Sequence, residues 1–462
     1  MLSFLITRYV PPAEYGLIAF ALPFVAFLSL LTDLGIASAI LRERDLTHKQ
    51  AGATVSLMTA LGVFACFALS TSAAWIESES GVAGAEKVLE GFAVVTLMQV
   101  WATAPRALLE RIHSYGKVAG TEGFSLLLAL VVFFVTLLTQ PGIFALVYYH
   151  MALQTSRALI FLFVSRKCFS FALLPRGIGS LIHAGGWIFI ANMLSYASRN
   201  LDKLIVGKQM GQADLGMYGF AYQFMTIPLV LLAWPASNIL ISTLSSAGEN
   251  IAVRRDVARA FIGITALIAV PLGTYISLGL DYPLHRFLSN HWDGVEKYIA
   301  ILMPVGVLQC IAVYATGVLV SNGRFRVNFV LGLVNGISIP LVMFLSAPFG
   351  LLVFVESYAG ISVFVSSLMI FYMCSIGGLN FKSLFLSLYP GVFSSALGGV
   401  IAYLSYDAYL AYLEPEIDLL GWLLCSAAYI FGVLLGYILC RREIKFSLSV
   451  MKKSRSDILS EA

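Results

Sequence analysis

The sequence predicts an all-α, polytopic membrane protein of two homologous six-helix lobes around a central cavity, plus two C-terminal helices, and three observations lead there. Charge is scarce: 59% of the 462 residues are apolar and 12% charged, with mean hydropathy +0.87, against about 25% charged in an ordinary soluble domain. Apolar runs long enough to cross a ~30 Å hydrocarbon core, about 20 helical residues each, recur along the whole chain. Short motifs of the first half return in the second half at nearly one offset.

Taken in order, the runs place spans at residues 17–41, 51–75, 92–109, 118–139, 142–165, 183–205, 217–244, 256–280, 297–320, 326–347, 350–375, 385–410 and 419–440, thirteen in all. A stub, Met1 to Thr7, precedes them and lacks the basic start and cleavage site of a signal peptide. Basic residues cluster in alternate loops: Arg42, Arg44 and Lys49; Arg106, Arg111 and Lys117; Arg166, Lys167 and Arg176; Arg254, Arg255 and Arg259; Arg324 and Arg326; Lys382; and Arg441 to Arg455. These loops and the C-terminus are expected in the cytoplasm, with the acidic stretches around Glu77 to Glu90 and Glu414 to Asp418 on the opposite face.

The repeat sets the domain plan. "PPAEYGLIAF" at Pro11 to Phe20 echoes "GQADLGMYGF" at Gly211 to Phe220, a shift of 200 positions, and "GAEK" at Gly84 echoes "GVEK" at Gly294, with Gln99 matching Gln309, shifted by 210. Six crossings separate the echoes, so the halves share one orientation and are expected to be related by an axis along the membrane normal, the plan of an alternating-access transporter. The expected domains are an N-terminal lobe over 1–175, a C-terminal lobe over 176–380, two additional transmembrane helices over 381–440 and a basic cytoplasmic tail over 441–462. The counterpart of the 183–205 span would begin about twenty residues before Met1. A fourteen-helix plan with its first helix largely missing is therefore expected, whether through a late start codon or a truncation.

The segments "RYVPPAEYGLIAF", "LTDLGIASAILRERDLT", "NLDKLIVGKQMGQADLGMYGFAYQ" and "FLSNHWDGVEKYIAILMPVGVLQ" resemble, in order and spacing, the polysaccharide flippases of the multidrug/oligosaccharidyl-lipid/polysaccharide exporter superfamily. The resemblance covers nearly the whole chain. It implies a multi-pass protein of the bacterial inner membrane that moves undecaprenyl-pyrophosphate-linked oligosaccharide repeat units from the cytoplasmic to the outer leaflet. The products served would be exopolysaccharide, capsule or O-antigen, with a polysaccharide polymerase and chain-length or export components as partners.

Polar residues at bilayer depth cost at least a few kcal/mol and persist where they face a cavity or a partner. His150, Gln154 and Arg157 fall at i, i+4 and i+7 on one helical face, and Asn192, Arg199, Asp202 and Lys203 mark a second polar stripe on the next span. Arg157, Arg199, Gln154, Asn192 and Lys203 are candidate substrate-binding residues, because the planar guanidinium fork suits a pyrophosphate. Arg157 could instead snorkel to the headgroups and Arg199 be neutralised by Asp202. Asp33, Asp202 and His150 are candidates for ion or proton coupling, with structural pairing or helix packing as the plainer readings.

The six cysteines form no CxxC pair, and no nucleotide-binding glycine loop, paired catalytic carboxylates or metal cluster is present in the sequence. Neither enzymatic activity, cofactor, metal nor nucleic-acid partner is expected. A cation or drug antiporter of the same superfamily is the alternative, and a membrane polysaccharide polymerase a more distant one. Topology is directly testable: cysteines placed at Lys49, Arg255 or the C-terminal tail should be shielded from an impermeant thiol reagent in intact cells, and cysteines at Glu79 or Glu416 should react. Labelling at Arg255 from outside would overturn the orientation.

Overall fold

A computed structural model describes residues 7–33, 36–42, 46–140, 142–170, 193, 196, 200–246, 251–279, 281–375, 378–412 and 419–461. The stub before Thr7, most of the 183–205 span, Asn192 and Arg199 lie outside the described residues. Among those described, every regular element is helical. The chain divides into two compact units, Met1–Gly216 and Met217–Ala462.

Unit 1 contains α1 (Pro12–Asp33), α2 (Ile36–Arg42), α3 (His48–Ser80), α4 (Ala85–Arg111), α5 (Tyr115–Thr139) and α6 (Phe144–Ser165), followed by helical residues 200–209. Unit 2 holds α7 from Met217 onward (Gln212–Pro228 in full), α8 (Trp234–Ser246), α9 (Ile251–Gly279), α10 (Asp281–Phe287), α11 (Val295–Ser321), α12 (Phe325–Ser346), α13 (Leu351–Ser375), α14 (Phe381–Tyr412), α15 (Leu419–Leu439) and α16 (Arg441–Glu461). Eleven of the described helical segments are long and apolar enough to cross a membrane. The chain is a multi-pass membrane protein. Twelve of the thirteen expected spans coincide with described helices; α6 stands apart from the eleven because His150, Gln154 and Arg157 dilute its hydropathy.

Local chemistry fixes the helix ends. Thr47 and Gln50 form a capping box at the start of α3: the Gln50 N–H donates to Thr47 Oγ1 at 3.2 Å and the Thr47 N–H to Gln50 Oε1 at 3.0 Å, worth about 1 kcal/mol. The acidic stretch expected to be a loop is partly helical, since α3 runs to Ser80. Glu77 on its last turns accepts the Gly84 and Glu86 N–H groups at 3.0 and 2.6 Å and so caps the start of α4. Between α7 and α8, Leu229–Ala233 forms a π-helical turn in which the Trp234 N–H reaches the Leu229 carbonyl. Pro235 follows immediately and has no N–H to give to the preceding turn, so the extra residue relieves a defect already written into the chain.

The repeated motifs are repeated structure. Gly84 and Gly294 both adopt left-handed backbone, φ +84° and +90°, and each precedes a 27-residue helix, α4 or α11. The helix series α4, α5, α6 is then matched by α11, α12, α13. The first echo has a different reason. A Cβ at Gly16 would overlap the Gln212 carbonyl oxygen, and one at Gly216 would overlap the Pro12 carbonyl oxygen, all four residues lying in unit 1. Equivalent positions of the two copies thus meet reciprocally, backbone against backbone, which is why glycine stands at both.

Two apolar clusters frame the site in unit 1. Ile36, Ile40, Ala51, Val55, Met58, Val100, Ala104 and Leu108 join α2, α3 and α4. Ala102, Leu109, Val118, Ala158 and Phe161 join α4, α5 and α6. Replacing Gly16 or Gly216 by Leu should lower the melting temperature of the detergent-solubilised protein, an overpacking loss of about 1–3 kcal/mol. Gly120→Leu on α5, where a side chain meets open space, should leave it unchanged or raised. Equal effects at all three positions would contradict the reciprocal contact.

Candidate functional site

Between those two clusters lies a cavity of about 310 Å³ with a charged lining. Helix α4 supplies Gln99, Thr103, Arg106 and Glu110 at spacings of 4, 3 and 4, a single face of one helix. Helix α5 supplies Glu122, and α6 supplies Gln154, Arg157 and Phe161. Of the polar face of α6 expected from the sequence, Gln154 and Arg157 line this cavity together and His150 does not.

Arg157 does not stand alone there. Its guanidinium forms an ion pair with Glu122, whose other carboxylate oxygen lies 3.4 Å from Arg106, and Arg106 in turn binds Glu110 at 2.9 Å. Two arginines and two glutamates alternate across three helices, so the cavity is formally neutral but densely charged. Arg157 and Glu122 are 28% and 25% exposed, and Arg157 Nε is buried with no hydrogen-bond partner. That N–H is a donor without an acceptor, an expensive state for a buried group. Arg106, Glu110 and Glu122 were not among the site residues expected from the sequence, although for Glu122 a signal was there. Glu122 falls inside the 118–139 span, and a carboxylate within a span calls for a partner just as Arg157 does.

The remaining candidates separate. Asp33 accepts the Ala37 N–H one turn on at 3.2 Å. His150 packs between Phe92 and Tyr149, ring centroids 5.5 and 5.2 Å away. Asp202 is buried and Lys203 half-buried. On the same stretch Tyr196 donates its hydroxyl to the Pro23 carbonyl at 2.6 Å, joining that stripe to α1.

The internal repeat supplies a control. Matching Gly84 with Gly294 pairs Arg106 with Thr316, Glu110 with Val320 and Glu122 with Gly332, and matching Gly142 with Gly350 pairs Arg157 with Val365. Every charged position of the cavity is uncharged in the second copy. The scaffold does not need these charges.

The polysaccharide biosynthesis protein family matches this chain over residues 5–297, well over half its length. The chain belongs to that family. It is 21% identical over 334 residues to the lipopolysaccharide biosynthesis protein WzxC of Escherichia coli (strain K12), covering 70% of this chain and 66% of that one. It is 22% identical over 310 residues to the teichuronic acid biosynthesis protein TuaB of Bacillus subtilis (strain 168), covering 66% and 63%. The chain thus spans just under two thirds of the length of these relatives. Among solved structures, a lipid II flippase MurJ in an inward closed conformation superposes with TM-score 0.71 at 13% identity, over 96% of each chain, and this likeness establishes the fold.

The ion pair predicts non-additive energetics. Arg157→Ala and Glu122→Ala should each destabilise the protein in mixed micelles, and the double variant should lose less than the sum, a coupling of about 0.5–3 kcal/mol. Strict additivity would mean that the contact carries no energy.

Proposed function

We propose that the protein is a flippase that carries undecaprenyl-pyrophosphate-linked oligosaccharide repeat units from the cytoplasmic to the outer leaflet by alternating access, with the basic loops and C-terminus in the cytoplasm. Membership of a polysaccharide biosynthesis family and a fold shared with a lipid II flippase support the class of cargo. The observation that carries the reading is the charged cavity of unit 1, in positions where the second copy is neutral.

A pyrophosphate crossing the bilayer bare would meet a prohibitive desolvation penalty, so fixed positive groups must replace its water. Arg157 and Arg106 offer two guanidinium groups on facing helices, each able to give paired charge-assisted hydrogen bonds. Glu122 and Glu110 pair with them, which leaves the cavity neutral overall. Substrate phosphate would take the guanidinium faces now held by carboxylates, and the unsatisfied Arg157 Nε–H is a donor already waiting. Gln154, Gln99 and Thr103 add neutral hydrogen-bonding groups beside them. Arg199, Asn192 and Lys203 remain candidates for a second anchor on the neighbouring stripe, and Asp202, Asp33 and His150 for coupling to an ion gradient.

Complementation of a flippase-null strain tests this, with expression checked by blot. Arg157→Ala should abolish or severely reduce surface polysaccharide while the protein remains in the membrane, and Arg157→Lys should restore it only in part, because it keeps charge and loses the fork. The charge-swapped Arg157→Glu/Glu122→Arg protein should fold and still fail to export. Full export by the swapped protein would make the pair structural and sink the reading.

A further inference from the structure

The basic C-terminal segment is a docked helix, α16, with two distinct faces. It starts at Arg441, two positions after the apolar α15 ends at Leu439, so it leaves the bilayer at headgroup level. It then folds across the start of α9. Glu443 forms an ion pair with Arg259, whose guanidinium carbon also sits 4.3 Å from the centroid of the Phe446 ring. Ser447 is buried, its hydroxyl oxygen 3.1 Å from where a Cβ on Gly263 would lie. Val450 and Met451 pack on the unit 2 core of Leu244, Val257, Ala258 and Phe261. One face is thereby occupied.

The opposite face is basic. Arg441, Lys445 and Leu448 are exposed at spacings of 4 and 3, and in the sequence Lys452 and Arg455 follow at spacings of 4 and 3. Leu448, at its centre, is 55% exposed. Glu443, the acidic residue near the start of the helix, is turned to the other face and used up by Arg259. We infer that α16 lies in the membrane interface with this stripe against anionic phospholipid headgroups, anchoring the start of α9 to the lipid surface. Charge complementarity selects an anionic surface, and attachment to a spanning helix presents the stripe to the headgroup layer. A leucine amid cations fits the headgroup–acyl boundary better than a polyanion in water.

Hydrogen exchange of the full-length protein in nanodiscs tests this. Peptides covering 441–461 should exchange at least about tenfold more slowly in phosphatidylglycerol than in phosphatidylcholine, and the difference should shrink in high salt. Replacing Arg441, Lys445, Lys452 and Arg455 together by Gln should abolish the lipid dependence, while the conservative Lys445→Arg/Arg441→Lys protein keeps it. Equal exchange in the two lipids, whether slow in both or fast in both, would overturn the inference. So would a lipid dependence that survives the Gln variant, or one that spreads equally over peptides of α11.

Discussion

A charge held between membrane helices needs a partner, and this requirement shapes the cavity of unit 1. Arg157 in the middle of α6 could not be carried there alone, and Glu122 on α5 answers it, drawing in Arg106 and Glu110 from α4. The ladder ties three helices together around the cavity. Lipid gives helices no hydrophobic reason to associate, so such polar contacts and close backbone approaches take on more of the work of assembly. Gly16 and Gly216, each pressed against a carbonyl of the other repeat's motif, are the backbone counterpart of the same economy.

The duplication separates scaffold from function. Left-handed Gly84 and Gly294, the matched helix lengths that follow them and the glutamine pair Gln99 and Gln309 belong to the shared frame. Gln309 donates to Tyr358 at 3.4 Å in unit 2, whereas Gln99 lines the charged cavity in unit 1. Thr316, Val320, Gly332 and Val365 show that the frame folds without charge at those positions. What unit 1 carries in addition is the charge that we propose meets the cargo.

Much of this was legible in the sequence because the bilayer imposes a one-dimensional rule. Span positions, the loop pattern and the polar face of α6 follow from hydropathy and helical period, and Gln154 and Arg157 were found that way. Glu122 was not, since its role depends on which helices become neighbours, and no local pattern records that. Asp33 stood as a candidate for ion coupling, with structural pairing as the plainer reading, and its carboxylate accepts the Ala37 N–H one turn on. The basic tail read as a tail, yet Glu443 and Phe446 dock it on Arg259, nearly two hundred positions earlier. For Glu122 and for the tail, the missing information was a long-range contact.

The claim that the unit 1 cavity holds the pyrophosphate is tested most directly by binding. Undecaprenyl pyrophosphate and undecaprenol should be titrated into wild-type and Arg157→Ala protein in nanodiscs. Loss of a charge-assisted contact of about 1.5–3 kcal/mol should weaken pyrophosphate binding at least tenfold and leave the alcohol unaffected. Equal affinity of both proteins for the pyrophosphate would contradict it.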